Sequence, residues 1–236
     1  MTSSKTLPFH AAAAITFIAV AVVAFSPRYF LPLLGGSDET RWILHAHAIS
    51  GFLWLLLFTA QMRLIQKKNM GMHRTVGFSS FPLVIILVVT GVFVTLELFW
   101  RARGLSNPGA NPVLLVNLSD MLIFGVLYAV GVMSRRRTHD HKAMMFLAAL
   151  SLMNAAFFRV IALITGPGPV PVVGSHILMA GFIALYLLWY RRRQGGLSLL
   201  VKLIGTLYLL VVLIRVPIGL SPLWAPVSDL FASMVS

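Results

Sequence analysis

The chain has 236 residues, 58% of them hydrophobic and only 11% charged, with a mean hydropathy of +0.89 and a formal net charge of +13. A soluble domain carries roughly twice that share of charged residues, so the composition excludes an ordinary soluble fold. The basic residues fall in short clusters between apolar runs, which is a membrane-topology signal and gives no reason to expect a nucleic-acid partner. The absence of cysteine excludes disulfides, thiolate catalysis and iron–sulfur clusters.

In chain order the apolar runs are 9–30, 42–65, 78–99, 112–133, 143–164, 172–190 and 197–214. Most are at least about 18 residues long with no more than one interior charge, as a spanning helix requires. The first run has one upstream lysine and continues toward Pro27 and Phe30, so it reads as a retained span, not a cleaved signal peptide. None of the runs alternates polar and apolar residues as barrel strands do, and hydrocarbon obliges a backbone to satisfy its own hydrogen bonds. The expectation is an all-α polytopic transmembrane helix bundle of about seven spans forming one domain. Turn residues separate the spans, at Gly35-Gly36-Ser37-Asp38, Ser106-Asn107-Pro108-Gly109 and Gly166-Pro167-Gly168-Pro169. After Arg215, three prolines (Pro217, Pro222 and Pro226) break the pattern, so 215–236 is expected to be an interfacial tail carrying Trp224 and Phe231.

The loops then give a direction. One set holds Arg63, Lys67, Lys68, Arg74, Arg135, Arg136, Arg137, Lys142, Arg191, Arg192, Arg193 and Lys202, and the other only Arg28, Arg41, Arg101 and Arg103. Twelve basic residues against four place the first set in the cytoplasm. The N-terminus is therefore expected inside and the C-terminus outside, in a bacterial cytoplasmic membrane. Asp38, Glu39 and Asp229 fall on the outer side, although acidic residues weigh little in this rule.

Ionisable groups within a bilayer are costly and invite a functional question. By helix rise, His45, His47, Glu97, Asp120, Arg159 and His176 share the outer third of the membrane, with Asn117 and Arg215 near the same level. These residues can form one polar cavity in which Asp120 pairs with Arg159. His47 and His176 can be axial ligands of a b-type haem, or His45, His47, His176 and Asp120 can hold a transition-metal ion. The competing reading is interfacial histidines with an Asp120–Arg159 pair as packing glue. On the other side, His73 precedes span three, and His139 and His141 precede span five. They can form a second haem or metal site, with His73 facing His141, or a basic loop on anionic lipid. On span two, His47, Gly51, Trp54, Phe58 and Gln61 share one helix face, and Gln61 needs a partner. His45 and His47, two residues apart, point in different directions.

The series His45-x-His47, Trp54, Gln61, His73-Arg74-x-x-Gly77, Asp120, His141-Lys142-x-Met144 and Ala155-Ala156-x-x-Arg159 resembles a family of uncharacterised multi-pass bacterial membrane proteins known as a domain of unknown function. The layout is also similar to that of transmembrane dihaem b-type cytochromes. That resemblance implies haem b held by His47 and His176 on the outer side and by His73 and His141 on the inner side. It further implies electron transfer, with a quinone or another membrane subunit as partner. The alternative is a non-redox binding or assembly protein that uses the His/Asp/Arg cluster for a metal or lipid.

Overall fold

The computed structural model describes residues 7–35, 41–105, 107 and 109–234. Asp38, Glu39 and the turn residues Gly36, Ser37, Ser106 and Pro108 lie outside the described residues. The described residues are helical with no strand. The order is α1 (Leu7–Phe25), a π-helical turn (Ser26–Phe30), α2 (Leu31–Leu34), α3 (Trp42–Gln66), α4 (Met70–Gly104), α5 (Ala110–Met133), α6 (Thr138–Ser151), α7 (Asn154–Thr165), α8 (Pro169–Gln194), α9 (Leu199–Leu220) and α10 (Ala225–Ser233). Seven helices are long and apolar enough to cross a membrane: Pro8–Leu34, Trp42–Gln66, Met70–Gly104, Ala110–Met133, Thr138–Thr165, Pro169–Gln194 and Leu199–Leu220. Their outer faces expose Ile85, Leu122, Leu185, Leu203, Leu207 and Leu210, among other large apolar side chains. So continuous an apolar surface suits contact with a lipid bilayer.

Consecutive spans pack as neighbours, and the contacts run α1–α3–α4–α5–α9–α8–α7 and close back onto α1. The seven spans thus form a ring, and α6 lies against α5, α9 and α1. Ala143, Met144, Leu147, Ala148 and Ala149 of α6 have no exposed surface at all. Small residues suit a helix enclosed by others, because they let backbones approach closely when no hydrophobic effect drives association in lipid. The fifth span is therefore the axis of the bundle at one end. At the other end, as α7, it joins the ring.

The helix boundaries differ from the sequence expectation in three informative places. Span three begins two turns earlier, at Met70, because the Asn69 side chain accepts the Met72 N–H at 3.0 Å and caps the helix. His73 therefore lies inside α4, and His139 and His141 lie inside the first turn of α6. Span five breaks at Leu152–Met153, where Met153 N–H turns to the Leu150 carbonyl (2.9 Å) and Ser151 Oγ bonds the Ala148 carbonyl (2.8 Å). Span seven does not stop at Arg215. It runs through Pro217 to Leu220, since a proline's fixed φ is helical and the loss is a single ladder bond. Gly219 makes that last turn possible, because a Cβ there would stand 2.6 Å from the Pro112 backbone of α5. The expected tail forms α10, tied to the ends of α4 and α5 by Trp100 Nε1 to the Phe231 carbonyl (2.8 Å), Trp224 Nε1 to the Asn111 carbonyl (3.1 Å) and an Arg103–Asp229 ion pair (2.7 Å).

Candidate functional site

The loops with twelve basic residues define one end of the bundle, the basic end, and the opposite loops define the far end. The single polar cavity expected at the far end resolves into separate groups. At the rim, Glu97 bridges Arg41 (3.1 Å) and Arg101 (2.7 Å). Asn117 is half-buried on α5 and stands apart from the network that its neighbours build.

That network is the most polar feature inside the helices. Arg215 on α9, 2% exposed, directs Nη1 to Asp120 Oδ1 on α5 and to Ser119 Oγ at 3.1 Å, and donates from Nε to His176 Nε2 on α8 at 3.1 Å. Asn154, the first residue of α7, donates from Nδ2 to Asp120 Oδ2 at 2.9 Å. The α7 and α9 side chains thus meet at the carboxylate of α5, and α8 joins through Arg215, with Arg215 Nη2 and Asn154 Oδ1 buried and unpartnered. The expected Asp120–Arg159 pair is corrected here: Asp120 pairs with Arg215 (Asp120 side chain 9% exposed), because α9 packs against α5 while α7 turns its Arg159 toward α1. His176 Nδ1 lies 2.8 Å from the Val172 carbonyl. A carbonyl only accepts, so Nδ1 carries the proton and Nε2 receives the Arg215 N–H. Both ring nitrogens are therefore engaged, and neither lone pair is left for iron.

His47 lies in a different place. Its ring rests against Gly91 of α4, where a Cβ would come within 2.9 Å of His47 Cε1, and its Nδ1 is 3.4 Å from Thr90 Oγ1. His45 Nδ1 is 3.0 Å from the Tyr29 hydroxyl. His45, His47, His176 and Asp120 are not gathered into one metal-binding group, and no cluster of three or more such donors occurs among the described residues. Arg159 lies over the Phe25 ring, 4.5 Å from its centroid, and its Nη1 bonds the Ala155 carbonyl of its own helix at 3.1 Å.

The basic end brings together what the sequence paired. His73 on α4 and His141 on α6 have ring centroids 6.4 Å apart, with their planes at 85°. His141 Nδ1 is 2.8 Å from the Gly131 carbonyl of α5, which fixes the proton on Nδ1 and leaves the lone pair on Nε2. His73 Nδ1 is buried and has no partner. One turn beyond His73, a Cβ at Gly77 would stand 3.7 Å from Gln61 Nε2, so the Gln61 amide of α3 lies against this turn. Both polar atoms of Gln61 are buried and unpartnered, as is Trp54 Nε1 two turns along the same helix face. Trp54 itself is wedged edge-on between Phe124 (5.1 Å) and Tyr128 (5.4 Å), and Tyr128 shares a 2.7 Å hydrogen bond with Ser80.

Compared with known proteins, the chain matches no family model, no curated protein and no solved structure.

Several members of these sites carried little sequence signal. Asn154 and Ser119 are small polar residues inside apolar runs, and only their partners distinguish them. Asp140 was hidden in a basic stretch, yet it is buried and holds Arg137 (3.1 Å) and Ser198 Oγ (2.5 Å), joining α6 to the cap of α9. His10 is buried against Tyr186 (3.1 Å), in an aromatic cluster with Phe146 and Trp189. A single polar residue opening an apolar run was its only mark.

Proposed function

We propose that the protein is an integral membrane haem-binding protein that transfers electrons, with haem b held between His73 and His141. The observation that carries this reading is the 6.4 Å separation of the two rings, together with the lone pair that Gly131 leaves on His141 Nε2. His141 through Nε2 and His73 through a ring nitrogen would hold the iron between α6 and α4. A histidine ligand whose other nitrogen donates to a backbone carbonyl is the usual arrangement at metal sites, because it fixes the tautomer and strengthens the ligand. The unpartnered atoms of Gln61 and His73 add to the case, since buried polar groups in a membrane are costly unless something binds them.

When bound, haem would supply the one-electron chemistry. The chain's own residues do the rest: His141 is held rigid from α5, Gln61 offers one donor and one acceptor beside the site, and Trp54, Phe124 and Tyr128 fill the ring interior next to it. With the basic loops taken as cytoplasmic, the site lies toward the inner leaflet of a bacterial cytoplasmic membrane, the N-terminus is inside and the C-terminus outside. Its redox partner would then be a quinone in the bilayer or another membrane subunit. The far-end haem is not part of this proposal, because His176 has no free nitrogen.

The test is the visible spectrum of the protein purified from haem-replete cells. A Soret band, a pyridine haemochrome of b type and a loss of at least half the haem in His73→Ala and in His141→Ala are expected, with His47→Ala and His176→Ala keeping theirs. A colourless protein sinks the reading. If elemental analysis of that colourless protein finds stoichiometric copper or zinc lost in the same two variants, the histidine pair holds a bare transition-metal ion instead.

A further inference from the structure

The far end carries six arginines, and their partners divide them. Arg41 and Arg101 share Glu97, Arg103 pairs with Asp229, and Arg215 pairs with Asp120. Arg159 and Arg28 have no carboxylate among the described residues, where Glu97, Asp120, Asp140 and Asp229 are all committed elsewhere. Arg159 lies about 9 Å in from the end of α7, counted by helix rise. Among the described residues its surroundings offer no opposite charge: the Phe25 ring that it covers leads directly into the π-helical turn that carries Arg28. Its contacts with the Phe25 face and the Ala155 carbonyl leave the charge unpaired, which is costly in a bilayer. Arg159 is half-buried and Arg28 exposed.

We infer that Arg159 and Arg28 form a binding site for a phosphate group, supplied by the headgroup of an anionic phospholipid in the leaflet at the far end. A guanidinium presents a fork of donors that matches phosphate oxygens bidentately. Arg159 fits this role, because only Nη1 is occupied, and by a carbonyl of its own helix. The phosphodiester would set its negative charge between the two arginines and bridge the π-helical turn to α7. The site is independent of any haem at the basic end.

Native mass spectrometry of the full-length protein from detergent, titrated with phosphatidylglycerol or phosphatidylcholine, tests this. The wild type should retain one more phosphatidylglycerol than Arg28→Gln/Arg159→Gln at matched lipid, with at least tenfold preference for it over phosphatidylcholine at that site. Arg191→Gln/Arg192→Gln/Arg193→Gln should lose lipid only from the basic end and keep the difference. If the double variant does not fold, Arg28→Gln and Arg159→Lys carry the test, each expected to weaken the retained lipid at least threefold. Inorganic phosphate that displaces this lipid at millimolar concentration assigns the site to phosphate in general; failure to displace it assigns the site to lipid. Equal lipid counts in wild type and variants overturn the inference. So does binding that appears only in Asp38→Asn/Glu39→Gln, which would make those carboxylates the natural counter-ions.

Discussion

Two polar clusters lie inside the same helix ring, and they are built differently. At the far end, the Asp120 carboxylate accepts from Arg215 and Asn154, and Arg215 also reaches Ser119 and His176, so opposite charges are paired even though Arg215 Nη2 and Asn154 Oδ1 are buried without partners. At the basic end, both amide atoms of Gln61 and His73 Nδ1 are buried with no partner at all. A buried ion pair locks helices together, because removing one member strands the charge of the other. A side chain with every buried polar atom unpartnered, as in Gln61, costs the free protein energy that a ligand would return. By that contrast, the cluster richer in charge is the structural one, and the quieter cluster is the candidate for function.

The largest effect should come from breaking the buried Asp120–Arg215 pair. Arg215→Gln leaves Asp120 charged and unpaired in the bundle, and should cost about 3–5 kcal/mol of stability in detergent unfolding. Combining it with Asp120→Asn should recover at least half of that; purely additive losses would mean that the two residues are not coupled. Next in size, His176→Ala removes the acceptor for Arg215 Nε and the donor to the Val172 carbonyl and should cost about 1–3 kcal/mol, with haem content unchanged. Loss of haem in that variant would undo the division between the two clusters.

At the basic end the sign should reverse. Gln61→Leu replaces two unpartnered atoms with an apolar side chain, so the ligand-free protein should be unchanged or more stable by up to about 1 kcal/mol. The same variant should hold its cofactor less well, read as faster haem loss to an excess of apomyoglobin. A clear loss of ligand-free stability would show that Gln61 is a structural residue.

Hydropathy made all seven spans legible, along with the breaks at Gly166–Pro169 and the polar stripe on α3, since each depends only on local composition and helical period. The His73–His141 meeting was legible too, because both residues open helices on the same side of the membrane. The pairing of Asp120 was not. Arg159 and Arg215 lie at comparable depth, and depth is all that a run of sequence records. Which arginine reaches Asp120 depends on rotation about the helix axis and on which helices are neighbours, and α9 packs against α5 only once the ring closes. The capacity of α9 to continue past Pro217 was likewise invisible, because Gly219 has no purpose until Pro112 lies beside it.

The sequence by itself determined that the chain is a helical membrane bundle, because lipid leaves a backbone no other way to satisfy its hydrogen bonds. It also determined which ionisable residues share a level of the bilayer. Only the tertiary structure decided which of them are spent on one another and which are left waiting, since hydrogen bonding is a matter of a few ångströms and of direction, and those are fixed by the packing of helices far apart in the chain.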